Sequence, residues 1–108
     1  MTSKYVILIP QYNDWDALSL LIQRINEDVA TDILAATSLV IVDDCSNKDF
    51  ETLTPFRGIK TQIVRLYRNL GHQRAIAIGL SYIAKEVVCE RVIVMDADGE
   101  DAPKDINA

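Results

Sequence analysis

Leu39-Val40-Ile41-Val42-Asp43-Asp44-Cys45-Ser46-Asn47, the run LVIVDDCSN over residues 39–47, decides how the rest of the chain is read. Four apolar residues in unbroken succession stop abruptly at five turn formers. A strand with one wet face alternates polar and apolar residues. A short continuous run bounded by turn residues instead reads as a strand buried on both faces. Three other segments take the same place in the pattern: Tyr5–Ile9 before Pro10, Thr61–Tyr67 before Asn69-Leu70-Gly71, and residues 91–95 before Asp96.

Helical periodicity fills the intervals. Trp15, Leu18, Leu21, Ile22, Ile25 and Val29 recur at helical spacing, with Asn13 as the expected cap and Asp14 and Asp16 in the first turn. Residues 30–37 carry the helix end and a connection, and 49–57 hold a short helix. Ile76, Leu80, Ile83 and Val87 form the stripe of a further amphipathic helix. Gly71 permits a positive φ ahead of that helix, whereas Gly79 in its middle implies close approach to the sheet. Strand, helix, strand, strand, helix, strand predicts an α/β fold. Its core is a mostly parallel sheet of about four strands flanked by helices, forming one domain over residues 1–108.

Composition narrows the function. With 108 residues, 49% hydrophobic and 25% charged, the chain is an ordinary globular one with a modest core. A net charge of −5 with 11 dispersed Lys and Arg argues against nucleic acid as a partner. Cys45 and Cys89 lack metal-ligand spacing and read as reduced thiols. No apolar run reaches membrane-span length and no signal peptide opens the chain, so a cytoplasmic setting is expected.

In parallel sheets ligands bind at the carboxyl ends of the strands, so the residues there carry the functional reading. They are Pro10-Gln11-Tyr12-Asn13, Asp43-Asp44-Cys45-Ser46, Arg68-Asn69-Leu70-Gly71-His72 and Asp96-Ala97-Asp98-Gly99-Glu100-Asp101. An extended Asp96-Ala97-Asp98 puts two carboxylates on one side, roughly 6.5–7 Å apart. Such a pair is costly unless a cation neutralises it, and oxygen ligands suit Mg²⁺ or Mn²⁺ shared with substrate phosphates. Solvated turn acids are the bland alternative. Asp43-Asp44 fits either a turn or a contact to a nucleobase or ribose. Arg68, His72 and Arg74 can face a diphosphate beside a helix N-terminus, or simply be surface residues.

Taken in order, VILIPQYNDWDALSLLI, LVIVDDCSNKDFE, RNLGHQRAIAIGLSYI and VIVMDADGEDAP resemble the successive blocks of family 2 glycosyltransferases. Those enzymes have the GT-A fold and use nucleotide-diphospho-sugar donors. The branch most resembled is that of the dolichyl-phosphate mannose synthase-like transferases, with Pro103 standing after the acidic turn. The resemblance implies a divalent metal, Mg²⁺ or Mn²⁺, and a UDP- or GDP-sugar. It assigns Pro10, Tyr12, Asn13, Asp43, Asp44, Arg68, Arg74, Asp96, Ala97 and Asp98 to the nucleotide sugar, and Asp96, Asp98 and Glu100 to the metal. Cys45 departs from the family, which usually has Gly there.

Family members continue past this point into an acceptor-binding half that supplies the base. The catalytic base is accordingly expected beyond Ala108, and no residue of the chain is assigned that role. The chain is expected to be the N-terminal, Rossmann-like donor-binding half, inactive alone, with a polyprenyl phosphate or a glycan as acceptor. Its parent is expected at the cytoplasmic face of a membrane. A sheet edge left open at 91–95 suggests a homodimer. Three rivals fit less well. A haloacid-dehalogenase-like phosphatase carries VIVMDADG near its start, and a receiver domain needs a later hydroxyl and Lys. The third is a ligand-free α/β interaction module, which titration with Mn²⁺ and nucleotides separates from the donor-site reading.

Overall fold

In the computed structural model, residues 3–46 and 60–96 are described. The elements run β1 (Tyr5–Gln11), α1 (Trp15–Asp28), α2 (Thr31–Ala35), β2 (Thr37–Asp43), β3 (Thr61–Arg65), α3 (His72–Glu86) and β4 (Arg91–Val94). The four strands form one sheet in the order β3-β2-β1-β4, with every neighbouring pair parallel. The expected α/β class and strand number hold. The helix expected over 49–57 lies outside the described residues.

Topology follows from the handedness of parallel crossovers. From β1 the chain steps through α1 and α2 to β2 on one side, then returns through α3 to β4 on the other. Right-handed connections that move in opposite directions place their helices on opposite faces. Accordingly, Ile7, Ile9, Leu39 and Ile41 pack against Leu18, Leu21, Ile22 and Ile25 of α1 and Leu34 of α2. Val6, Leu8, Val40 and Val42, which alternate with them, pack against Ala75 and Ile83 of α3 and against Val87. Both faces of β1 and β2 are thus covered, which is why their sequences run apolar without a break.

Three local expectations are corrected. β1 does not end before Pro10 but continues through it to Gln11. Pairing of β4 with β1 stops at Leu8↔Val94, so no ladder bond is asked of the Pro10 nitrogen. The N-cap of α1 is Asp14, without a side-chain cap, whereas Asn13 adopts a left-handed φ of 54°. On α3 the buried line is Ala75, Gly79 and Ile83, and Leu80 is 41% exposed. A Cβ on Gly79 would lie 2.5 Å from Leu8 Cδ1 and 2.9 Å from Val42 Cγ2, so this residue sets the helix–sheet distance. Gly71, at φ 93°, makes the turn into α3 as its sequence position suggests.

Candidate functional site

The two acids that end β2 point to opposite faces, because consecutive residues of an extended chain do. Asp43 turns towards the α1 side and is sealed there. It sits opposite Gln11 in the register, and Gln11 Nε2 donates to its Oδ1 at 2.8 Å. The same oxygen accepts from the Ser46 amide at 3.2 Å and the Ser46 hydroxyl at 2.5 Å. Ser46 Oγ in turn accepts the Asn13 amide at 2.8 Å, and Gln11 Oε1 accepts the Asp14 amide at 3.0 Å. This network ties the β1–α1 turn to the end of β2. It also takes up the amides of Asn13 and Asp14, the two residues that lead into α1.

Asp44 turns the other way, to the α3 side. Its Oδ1 accepts the Leu70 amide at 2.7 Å and its Oδ2 the Gly71 amide at 3.0 Å. The start of α3 is thereby fastened to the end of β2. Above this clamp lies a cleft of about 320 Å³ lined by Pro10, Gln11, Tyr12, Asp14, Asp44, His72, Ala75 and Asp96. It occupies the carboxyl rim where the chain reverses direction across the sheet, between β1 and β4, the crevice in which doubly wound sheets bind ligands. Asp96 follows β4, and its Oδ1 lies 3.1 Å from His72 Nε2.

Of the residues assigned from sequence, Pro10, Tyr12, Asp44 and Asp96 meet at this cleft. Asn13 and Asp43 stand behind it as supports; Asp43 and Asp44 are almost equally buried, at 3% and 4% exposure, and only Asp44 borders the cleft. Arg68 and Arg74 are exposed and are not among the described residues lining the cleft. Ala97, Asp98, Glu100 and Ala108 lie outside the described residues, and with Ala108 the expectation of a catalytic base beyond it. Gln11 and Ser46, noted at the strand ends, Asp14, noted in the first turn of α1, and Ala75 had no site role in the sequence reading. Gln11 carried one usable signal, a long amide at the end of an otherwise apolar central strand.

The cleft wall presents three carboxylates, Asp14, Asp44 and Asp96, against one imidazole. A diphosphate entering such a wall needs a cation beside it. Among the described residues no group of three His, Cys, Asp or Glu converges to hold a metal ion. The cleft offers Asp96 as a hard oxygen donor, which fits Mg²⁺ or Mn²⁺ held by one or two carboxylates plus substrate phosphates.

Fold and cleft together define a parallel α/β protein with a cleft at the switch point of its sheet. The chain belongs to glycosyl transferase family 2, whose model matches residues 6–108. It is 29% identical over 107 residues to the undecaprenyl-phosphate 4-deoxy-4-formamido-L-arabinose transferase of Klebsiella pneumoniae, a match covering 95% of this chain and 31% of that protein. An uncharacterized glycosyltransferase of Synechocystis sp. is 34% identical over 107 residues, covering 96% of this chain and 32% of its own length. The chain thus spans about a third of the length of these curated relatives. The crystal structure of S. aureus TarS residues 1–349 superposes with a TM-score of 0.67 at 22% identity, covering 88% of this chain and 27% of that one. The expected GT-A architecture stands, and the family match sets aside the receiver and phosphatase readings. No helix among the described residues is long and apolar enough to cross a membrane.

Proposed function

We propose that residues 1–108 form the donor-binding part of a glycosyltransferase, taking a UDP- or GDP-sugar with Mg²⁺ or Mn²⁺ in the cleft above Asp44. The observation that carries this reading is the convergence of Pro10, Tyr12, Asp44 and Asp96 from separate elements on one crevice at the carboxyl rim. Pro10 and Tyr12 wall the nucleoside side. Asp44, which lines the cleft where Asp43 does not, is the acid that contacts base or ribose. Asp96, with Asp98 and Glu100 following it in sequence and Ala97 between the two aspartates, makes the oxygen ligand set. When bound, the metal supplies Lewis-acid stabilisation of charge on the nucleoside diphosphate leaving group. The chain's own part is to orient the donor and to keep a carboxylate facing the diphosphate.

The acceptor proposed is a polyprenyl phosphate, supported by the name of the Klebsiella relative; a glycan is the second choice. A phosphate acceptor already carries an anionic oxygen and needs no base to deprotonate it. A glycan hydroxyl does need one, and in that case the base is proposed to follow Ala108. Two free thiols, Cys45 and Cys89, support a cytoplasmic setting. Among the described residues β4 pairs with β1 alone, so its other edge is proposed to pair with a second copy of the chain. A monomeric mass in light scattering at all concentrations removes that last element.

Isothermal titration with UDP and GDP, each with and without Mn²⁺, tests the central reading. Heat with one nucleotide only when Mn²⁺ is present is the expected result. Equal absence of heat for both nucleotides up to millimolar concentration overturns it.

A further inference from the structure

The contact between His72 and Asp96 belongs to no role assigned so far. The two residues are 24 positions apart and reach the cleft on different elements, His72 at the first position of α3 and Asp96 just past β4. Both side chains are substantially exposed, 56% and 37%, so this pair adds little to the stability of the fold. Its placement is nonetheless tightly determined. Gly79 lets α3 lie close on Leu8 and Val42, Gly71 turns the chain into the helix at φ 93°, and Asp44 holds the amides of Leu70 and Gly71. Three separate features of the sheet and helix therefore fix where the His72 imidazole begins. Meanwhile the Met95 amide donates to Leu8 O at 3.0 Å and fixes the backbone next to Asp96.

We infer that His72 is a positioning residue for the metal-binding carboxylate: its Nε2–H holds Asp96 Oδ1 so that the group meets the cation already oriented. This rests on the reading of Asp96 as a metal ligand given above. Carboxylates that bind metals are themselves commonly hydrogen-bonded by an outer partner, and loss of that partner typically weakens metal binding 10–100-fold. A freely rotating aspartate must be ordered when the ion arrives, whereas a held one has lost that freedom in advance. An imidazole suits the task here because its ring is rigid and rooted on the first turn of a helix that cannot shift without displacing Leu8 and Val42.

Mn²⁺ alone is the probe, with free ion followed by its electron paramagnetic resonance signal in titrations of the 108-residue chain. Native protein, His72→Ala, His72→Gln and Asp96→Asn are compared, each first shown to unfold at the native midpoint in urea. His72→Ala is expected to raise the Mn²⁺ dissociation constant about 10–100-fold. His72→Gln, whose amide nitrogen can occupy the Nε2 position, is expected to recover most of that loss. Native-like Mn²⁺ binding by His72→Ala, with binding lost in Asp96→Asn, overturns the role of His72 and leaves the metal reading intact. So does a failure of His72→Gln to recover binding, since any other loss at this position is not one of the donor. No uptake by the native chain, or unchanged uptake by Asp96→Asn, overturns the metal reading and this inference with it.

Discussion

The two faces of the sheet finish differently at the same rim. On the α1 face large aliphatic side chains fill the interface up to Ile9 and Ile41, and the next pair out, Gln11 and Asp43, is closed by Ser46 into a buried polar knot. On the α3 face the helix presents Ala75 and Gly79, lies close to the sheet, and begins at the rim, where His72 and Ala75 line a cleft beside Asp44. Two neighbouring aspartates, both nearly buried and both hydrogen-bonded, thus serve different faces: Asp43 closes the knot under α1, whereas Asp44 clamps the start of α3 and borders the cleft. Chemical identity says little about which acid does which; the face of the strand decides.

That contrast can be broken most sharply at Asp43. Asp43→Ala removes the acceptor of both Ser46 donors and one of the two acceptors of Gln11 Nε2, which keeps Ser46 Oγ at 3.1 Å, and is expected to cost about 2–3 kcal/mol in urea unfolding. Asp43→Asn, which keeps one acceptor oxygen, is expected to retain part of that stability and to bind nucleotide as the native chain does. Asp44→Ala is expected to lose nucleotide binding. Equal loss of binding in both variants breaks the division between the faces.

A smaller effect is expected where α3 touches the sheet. Gly79→Ala inserts a methyl group 2.5 Å from Leu8 Cδ1, and both Leu8 and Val42 are fully buried. Overpacking of about 1–3 kcal/mol is offset in part by about 1 kcal/mol of better helix propensity. The net expectation is a loss of up to about 2 kcal/mol by chemical denaturation. A gain in stability would mean that the two faces are equally loose.

The smallest expected change is favourable. Cys45 follows the acid pair in the left-handed region, at φ 63°, where a side chain is strained by about 1–2 kcal/mol. Cys45→Gly removes that strain but adds unfolded-state freedom worth about 0.4–1 kcal/mol. A net rise in stability of about 0.5–1 kcal/mol, read from the urea midpoint, is expected.

Much of the fold was legible because burial on both sides leaves a plain mark. VILI and LVIV, unbroken by polar residues, require cover on two faces, and a parallel sheet provides it. Gly71 and Gly79 were also readable, one before a helix and one inside it, where glycine is otherwise unfavourable. The stripe through Leu80 misled because periodicity alone does not show that a helix can approach along its smallest residues rather than its largest. Asn13 misled for a different reason. Asn13 sits before the N-cap with its amide held by Ser46 Oγ, 33 residues away, a contact that no local pattern announces.

The site was legible as a set of strand ends but not as an arrangement. Pro10, Tyr12, Asp44 and Asp96 could be gathered by assuming a parallel sheet, since its carboxyl rim collects them. The separation of Asp43 from Asp44 could not be assigned without knowing which helix covers which face. Nor could the meeting of His72 with Asp96, which depends on how near α3 stands to β4.

The buried knot of Gln11, Asp43 and Ser46 also acts as a checksum on strand alignment. Aliphatic strands such as β1 and β2 tolerate sliding, because valine beside isoleucine packs much like isoleucine beside valine. A slip of one residue would bring Val42 or Asp44 opposite Gln11 in place of Asp43. With Val42 there, the amide faces methyl groups; with Asp44 there, Leu70 and Gly71 lose their acceptor. Either error leaves donors unanswered, so the alignment that is cheapest to satisfy is the one that also brings Asp44, and not Asp43, to the cleft.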